Sequence, residues 1–89
     1  MAPHADPARG VYAISIAAEI VGTNIQNLRA YERRGLLEPS RTDGGTRLYS
    51  EADLHRLGRI LELLEEGLNL AGVAKVLELE AEVARLRGA

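Results

Sequence analysis

Three observations predict a mostly α chain, folded as a winged helix-turn-helix with a short β-hairpin wing and a C-terminal dimerisation helix. Two short helical patterns meet at Gly22-Thr23. An Asp43-Gly44-Gly45 turn lies between Arg41 and Arg47. Two longer leucine-patterned segments follow, and the last ends in an apolar repeat.

Composition bounds the reading. The chain has 89 residues, enough for one domain at most, and 46% of them are hydrophobic. With no Phe and no Trp, the small core falls to Leu, Ile, Val and Ala, and burial against a partner is expected. No cysteine is present, which removes disulfides, thiolate metal sites and Cys nucleophiles, and suits a reducing cytoplasm. No apolar run approaches the ~20 residues of a membrane span, and the N-terminus lacks the apolar core of a signal peptide.

The net charge is −2, unhelpful for a polyanion until it is divided. Arg29, Arg33, Arg34, Arg41 and Arg47 oppose Glu32, Glu38 and Asp43, so residues 28–49 carry +2. Residues 50–89 carry −3, and residues 1–27 carry −1. Local potential steers association more than the total does.

Residues 1–10 hold two of the three prolines and read as a disordered arm or a cloning remnant. Val11–Ile14 is β-like. Ser15 is placed as the N-cap of a helix over 16–21, with Ile16 and Ile20 facing the core beside Val21 or Ala17. Gly22 ends it. Thr23 with Gln26 has capping-box spacing for the next helix, in which Ile25, Leu28 and Tyr31 form the inner stripe. Gly35 ends that helix, Leu36 and Leu37 dock, and Pro39 prevents continuation. Residues 40–49 form a hairpin around Asp43-Gly44-Gly45, whose glycines supply positive φ. Ser50 and Asp53 open a third helix as a second capping box, with Leu54, Leu57, Leu61, Leu64 and Leu68 on one face, widened by Ile60 and Leu63. Gly67 breaks it and Asn69 caps the last helix. There Leu70, Val73, Ala74 and Leu77 line the first half. Val76, Leu79, Val83 and Leu86, spaced 3, 4, 3, form a short heptad seam for dimerisation.

A helix fits the major groove of duplex DNA, and its first turn reaches deepest. Asn and Gln pair with adenine and Arg with guanine through two hydrogen bonds each. Asn24, Gln26 and Asn27 occupy that first turn. Arg29 and Arg33, one turn apart, suit phosphate or guanine. Tyr31 and Tyr49 offer hydroxyls for phosphate while their rings pack inward. Arg41 and Arg47 on the hairpin reach the backbone or a flanking minor groove. Each feature alone has a plainer explanation: solvated amides, a helix-end dipole partner, a core tyrosine, a surface loop. Their order along the chain is what points to DNA. Enzyme chemistry finds no support. His4 lies in the arm, His55 is placed on the solvent side, and no paired carboxylates, nucleophile–base set or phosphate loop stands out. Neither a metal nor a cofactor site is expected.

Leu28-Arg29-Ala30-Tyr31-Glu32-Arg33-Arg34-Gly35-Leu36-Leu37, Pro39, Arg41 and Arg47-Leu48-Tyr49-Ser50 together resemble the signature of the MerR family of bacterial transcription regulators. The likeness spans roughly residues 12–77. Val11–Ser15, Ala17-Ala18-Glu19, Arg41-Thr42 with Gly44-Gly45, and Glu66–Val73 running into Leu77–Glu80 are similar to its heat-shock repressor branch, HspR. The resemblance implies a winged-helix DNA-binding domain over 11–77 and the start of a dimerisation helix over 78–89. It further implies a homodimer on an inverted-repeat operator of double-stranded DNA, repression of chaperone genes, and the Hsp70 chaperone as corepressor. By position it makes Asn24, Gln26, Asn27, Arg29 and Tyr31 recognition-helix contacts and assigns Arg41, Arg47 and Tyr49 to the wing.

The run Asn24-Ile25-Gln26-Asn27 departs from the branch's His-Pro-Gln-Thr type, so a different operator is expected. Thr46 stands where a basic residue is frequent. The chain stops at Ala89, short of the family's effector region, which implies a shortened piece or a dimer resting on a short seam. Without cysteine, the family's thiolate metal sensing is excluded. A competing reading keeps the fold but makes the chain a small architectural DNA-binding or protein-interaction module without strong sequence specificity. A small-molecule sensor would need more chain beyond the DNA-binding region.

Overall fold

Two tight turns set the path of the N-terminal half, and a glycine break sets that of the C-terminal half. The computed structural model describes residues 6–88. The order is α1 (Ile14–Val21), α2 (Ile25–Arg33), β1 (Ser40–Arg41), β2 (Arg47–Leu48), α3 (Glu51–Glu65) and α4 (Leu70–Gly88), the mostly helical winged helix-turn-helix that the sequence predicts. The chain divides into two compact units between Gly58 and Arg59.

In the first unit, Tyr12 pairs with Tyr49 in an antiparallel bridge. Tyr49 N–H donates to the Tyr12 carbonyl at 2.7 Å, and Val11 and Tyr12 N–H both donate to the Tyr49 carbonyl at 2.9 Å. Because Tyr12 is held extended, the chain enters α1 at once. Ala13 becomes the N-cap, without a side-chain bond, and Ser15 lies inside the helix. The expectation that Ser15 caps α1 is corrected. So is the buried face: Ala17 and Ala18 are buried, whereas Ile16 is 46% and Ile20 54% exposed. Only three residues separate α1 from α2, and small side chains suit the close packing that follows.

Gly22 closes α1 at φ 81°, a left-handed conformation that costs other residues more. Thr23 N–H then donates to the Ala18 carbonyl at 2.9 Å. That commits Thr23 to the turn, so Asn24, not Thr23, is the N-cap of α2, accepting from Asn27 N–H at 2.8 Å. Leu28 and Tyr31 are buried on the inner stripe, with Ile25 half-buried. Leu36 and Leu37 are buried at the exit, as expected.

β1 and β2 pair antiparallel, with Ser40 opposite Leu48 and Arg41 opposite Arg47. The tip is closed by Gly45 N–H on the Thr42 carbonyl at 2.8 Å and Thr42 N–H on the Thr46 carbonyl at 2.9 Å. The capping box of α3 forms as predicted: Asp53 N–H donates to Ser50 Oγ at 3.0 Å and Ser50 N–H to Asp53 Oδ2 at 2.9 Å.

The predicted arm over 1–10 falls partly outside the described residues. Residues 6–10 differ from that expectation. They form a turn, with Arg9 N–H on the Asp6 carbonyl, and the Pro7 carbonyl accepts Ala52 N–H from the first turn of α3, both at 2.9 Å. Gly10 passes so close to β2 that a Cβ there would meet the Leu48 carbonyl oxygen at 2.7 Å.

In the second unit, Ile60, Leu63, Val73 and Leu77 are buried. Asn69 caps α4 through Gly72 N–H at 2.8 Å. Arg59 bonds Glu80 of α4 at 2.6 Å and Glu62 at 2.7 Å. Leu79, Val83 and Leu86 are exposed, and Val76 is half-buried. No described helix is long and apolar enough to cross a membrane.

Candidate nucleic-acid interface

The predicted DNA contacts separate by what already holds them. Gln26, Arg29 and Arg33 are exposed. Their spacing of three and four puts them on one outer face of α2. None of them makes a side-chain hydrogen bond or ion pair among the described residues. Arg34, exposed at the C-terminus of α2, is likewise without an acidic partner there and extends the positive surface. It was legible as the second half of Arg33-Arg34.

Asn24 and Asn27 are engaged locally. Asn24 Oδ1 accepts from the Asn27 backbone, and Asn27 Nδ2 donates to Thr23 Oγ1 at 2.8 Å. The first bond satisfies a helix-start N–H, the second ties the Asn27 amide to the turn, and together they leave Gln26 as the uncommitted amide of the first turn.

Tyr31 and Tyr49 are core residues, at 4% and 0% exposure. Burial pushes the pKa of both hydroxyls up, and the Glu32 carboxylate adds to the effect on Tyr49. The Tyr49 hydroxyl is buried without a hydrogen-bond partner. The expected inward packing of both rings is present. The expected solvent-facing hydroxyl of Tyr49 is not, because the bridge to Tyr12 draws this residue under the hairpin.

Arg41 and Arg47 converge on a residue that motif reading passed over, Glu32 in the last turn of α2. Arg41 Nη2 donates to Glu32 Oε2 at 2.6 Å and its Nη1 to the Gly45 carbonyl at 3.1 Å. Arg47 Nε donates to Glu32 Oε1. Burial alone would raise the Glu32 carboxyl, but Arg47 and Arg41 outweigh it and hold the pKa below the ordinary value. An acid amid five arginines was the signal for this role. Its placement opposite the hairpin needed the fold. Among the described residues, no three His, Cys, Asp or Glu converge as a metal site.

This arrangement has known counterparts. The model for the MerR HTH family of regulatory proteins matches residues 12–80. The chain belongs to the MerR family. Residues 12–80 carry the family's regulatory-protein HTH domain, and the likeness read from Leu28–Leu37 and Arg47–Ser50 is confirmed. Among its MerR relatives, a protein assigned as heat shock protein HspR in Streptomyces coelicolor is 46% identical over 86% of this chain and 52% of its own length. The HTH-type transcriptional repressor CarH of Myxococcus xanthus is 43% identical over 86% of this chain and 28% of its own. The chain thus spans about half or less of these relatives. Of solved MerR-type structures, HiNmlR, a regulator lacking the sensor domain and bound to promoter DNA, has TM-score 0.72 and 30% identity. That match covers 79% of this chain and 54% of HiNmlR. The N-terminus of the Bacillus subtilis multidrug transporter activator, MtaN, has TM-score 0.67 and 33% identity, covering 88% of this chain and 85% of that one.

Proposed function

We propose that this MerR-family chain is a sequence-specific DNA-binding transcriptional regulator, a repressor of heat-shock and chaperone genes that binds an inverted-repeat operator as a homodimer. The observation that carries this reading is the capped α2 with Gln26, Arg29 and Arg33 uncommitted on one outer face, beside a hairpin whose two arginines are fixed at its end. A helix so equipped enters a major groove with Gln26 towards base edges and the arginines towards phosphate or guanine. The hairpin lies along the flanking backbone, where Arg47 and Arg41 add positive charge.

Pairing of two protomers falls to the exposed stripe of Leu79, Val83 and Leu86 with Val76. Apolar residues at that spacing gain most when a second helix covers them. Similarity to HspR supports the heat-shock assignment; a cytoplasmic setting and the Hsp70 chaperone as corepressor are further parts of this proposal.

Fluorescence anisotropy with a labelled duplex from the chain's own upstream region, beside a scrambled duplex, tests the reading over a salt series. Specific recognition predicts a difference of about 10³-fold or more. Equal, steeply salt-dependent binding to both duplexes would reject it in favour of a sequence-blind module.

A further inference from the structure

Arg41 and Arg47 face each other directly across the hairpin. Like charges in that position oppose pairing, and here the strands are only two residues each. Such a ladder has little backbone bonding of its own to withstand repulsion. The Glu32 carboxylate lies between them, one oxygen to each guanidinium, and its side chain is 20% exposed. It therefore neutralises the opposed pair and ties the hairpin to the last turn of α2.

The two arginines are not held alike. Both terminal nitrogens of Arg41 have protein partners, Glu32 and the Gly45 carbonyl at the tip. Arg47 is held through Nε, and its two terminal nitrogens make no hydrogen bond among the described residues. Turning Arg41 towards a phosphate would break two bonds that shape the hairpin. Arg47, although less exposed than Arg41 at 28% against 44%, can turn its free terminal nitrogens to a phosphate and keep its bond to Glu32.

We propose that Glu32 is a positioning residue for DNA: it staples the hairpin to α2 through Arg41 and aims the free edge of Arg47 at the phosphate backbone. The proposal rests on the DNA-binding reading above and adds to it an acidic residue that strengthens binding to a polyanion. That sign is the test. Counting charge alone, Glu32→Gln removes a negative charge near DNA and tightens binding. Positioning predicts the reverse, a loss of about ten-fold, because a neutral amide cannot accept charge-assisted bonds from two guanidinium groups.

Four variants, E32Q, R41K, R47K and R47A, are to be measured by anisotropy on the upstream duplex over a salt series. Amide hydrogen exchange of residues 42–47 is followed in the absence of DNA. The expected results are weaker binding and faster exchange at Thr42 and Gly45 for E32Q. R41K, which keeps the charge but loses the two-acceptor fork, is expected to behave like E32Q. R47A lowers the salt slope by about 0.9, the value for one neutralised phosphate, and R47K retains it. Binding by E32Q as tight as wild type or tighter, or unchanged exchange at Thr42 and Gly45, overturns the proposal. So does an R47A slope equal to wild type. If wild-type protein binds no DNA, the DNA-binding reading fails and the aiming role with it. Exchange in E32Q and R41K still decides whether Glu32 staples the hairpin.

Discussion

The outer face of α2 and the hairpin both carry arginine, but they hold it in opposite ways. On α2, Arg29, Arg33 and Arg34 are exposed and without an acidic partner among the described residues. On the hairpin, Arg41 and Arg47 share one carboxylate. The helix can leave its side chains free because its own backbone bonds hold its shape. The hairpin cannot, because two residues per strand supply little of that support. Side chains on a weak scaffold are enlisted to build it, and side chains on a strong scaffold remain available for a ligand.

The sharpest way to break this comparison is to remove the free set. Arg29→Ala with Arg33→Ala is expected to weaken operator binding by about a hundred-fold, taking each charged interaction at the lower end of roughly 1.5–3 kcal/mol. The salt slope falls by about 0.9 for each phosphate left without its arginine. Thermal stability changes little, since neither side chain supports the fold. A melting temperature that drops along with affinity would mean that these residues are structural and that the contrast with the hairpin is false.

The hairpin's dependence on its surroundings is tested at its base. Gly10→Ala puts a methyl group 2.7 Å from the Leu48 carbonyl and 2.9 Å from Leu48 Cβ. Backbone cannot yield as a flexible side-chain end can, so a cost of about 1–3 kcal/mol is expected, read as a lower midpoint in urea unfolding. Exchange at residues 42–47 should accelerate as β2 is displaced. An unchanged midpoint would show that residues 6–10 merely lie beside the hairpin.

Asn24→Ala separates capping from reading. Losing the bond to Asn27 N–H costs about 1 kcal/mol of stability. Discrimination between operator and scrambled duplex should survive, because Gln26 remains the uncommitted amide. Loss of discrimination with stability intact would restore Asn24 as a base reader.

These residues also show what the sequence could reveal. Local chemistry was mostly readable where one residue satisfies a backbone need within four positions. Examples are Gly22 after α1, Ser50 with Asp53 before α3, Asn69 before α4 and Gly45 at the hairpin tip, φ 87°; Gly44, expected to share that conformation, does not adopt it. A second local misreading was Thr23 for Asn24 as the cap of α2, because Thr23 N–H is taken by Ala18; the others came from packing and from pairings distant in sequence. Ser15 was a reasonable cap until Tyr12 was drawn 37 positions along the chain to Tyr49, which moved the N-cap to Ala13. Periodicity on α1 favoured Ile16 and Ile20 as core, yet the short turn to α2 selected the alanines. On α3, Leu54 and Leu57 are buried as expected, but beyond them Ile60 and Leu63 are buried while Leu61 and Leu64 are half-buried, so the second half of the seam departs from the 3-4-3-4 reading. Glu32 was printed inside the motif that identified the family. Its function lies in a bond to Arg47, 15 residues away, and no local pattern encodes that.

The smallest expected effect concerns Tyr49, where motif reading and structure give different answers. By motif it is a wing residue with a hydroxyl for phosphate. In the structure the ring is fully buried and the hydroxyl has neither solvent nor a partner. A buried donor left unpaired costs on the order of 1–3 kcal/mol, so Tyr49→Phe removes a liability and keeps the packing. Stability is expected to stay level or rise by up to about 1 kcal/mol, with operator affinity and salt slope unchanged. The comparison between helix and hairpin would then hold at its most buried point, with DNA binding left to groups that the fold leaves free: the side chains on the outer face of α2 and the terminal nitrogens of Arg47. A fall in slope of about 0.9 on removal of this single oxygen would instead show that the hydroxyl leaves the core to meet a phosphate. In that case the hairpin rearranges on binding, and its arginines would have to be assigned from the complex.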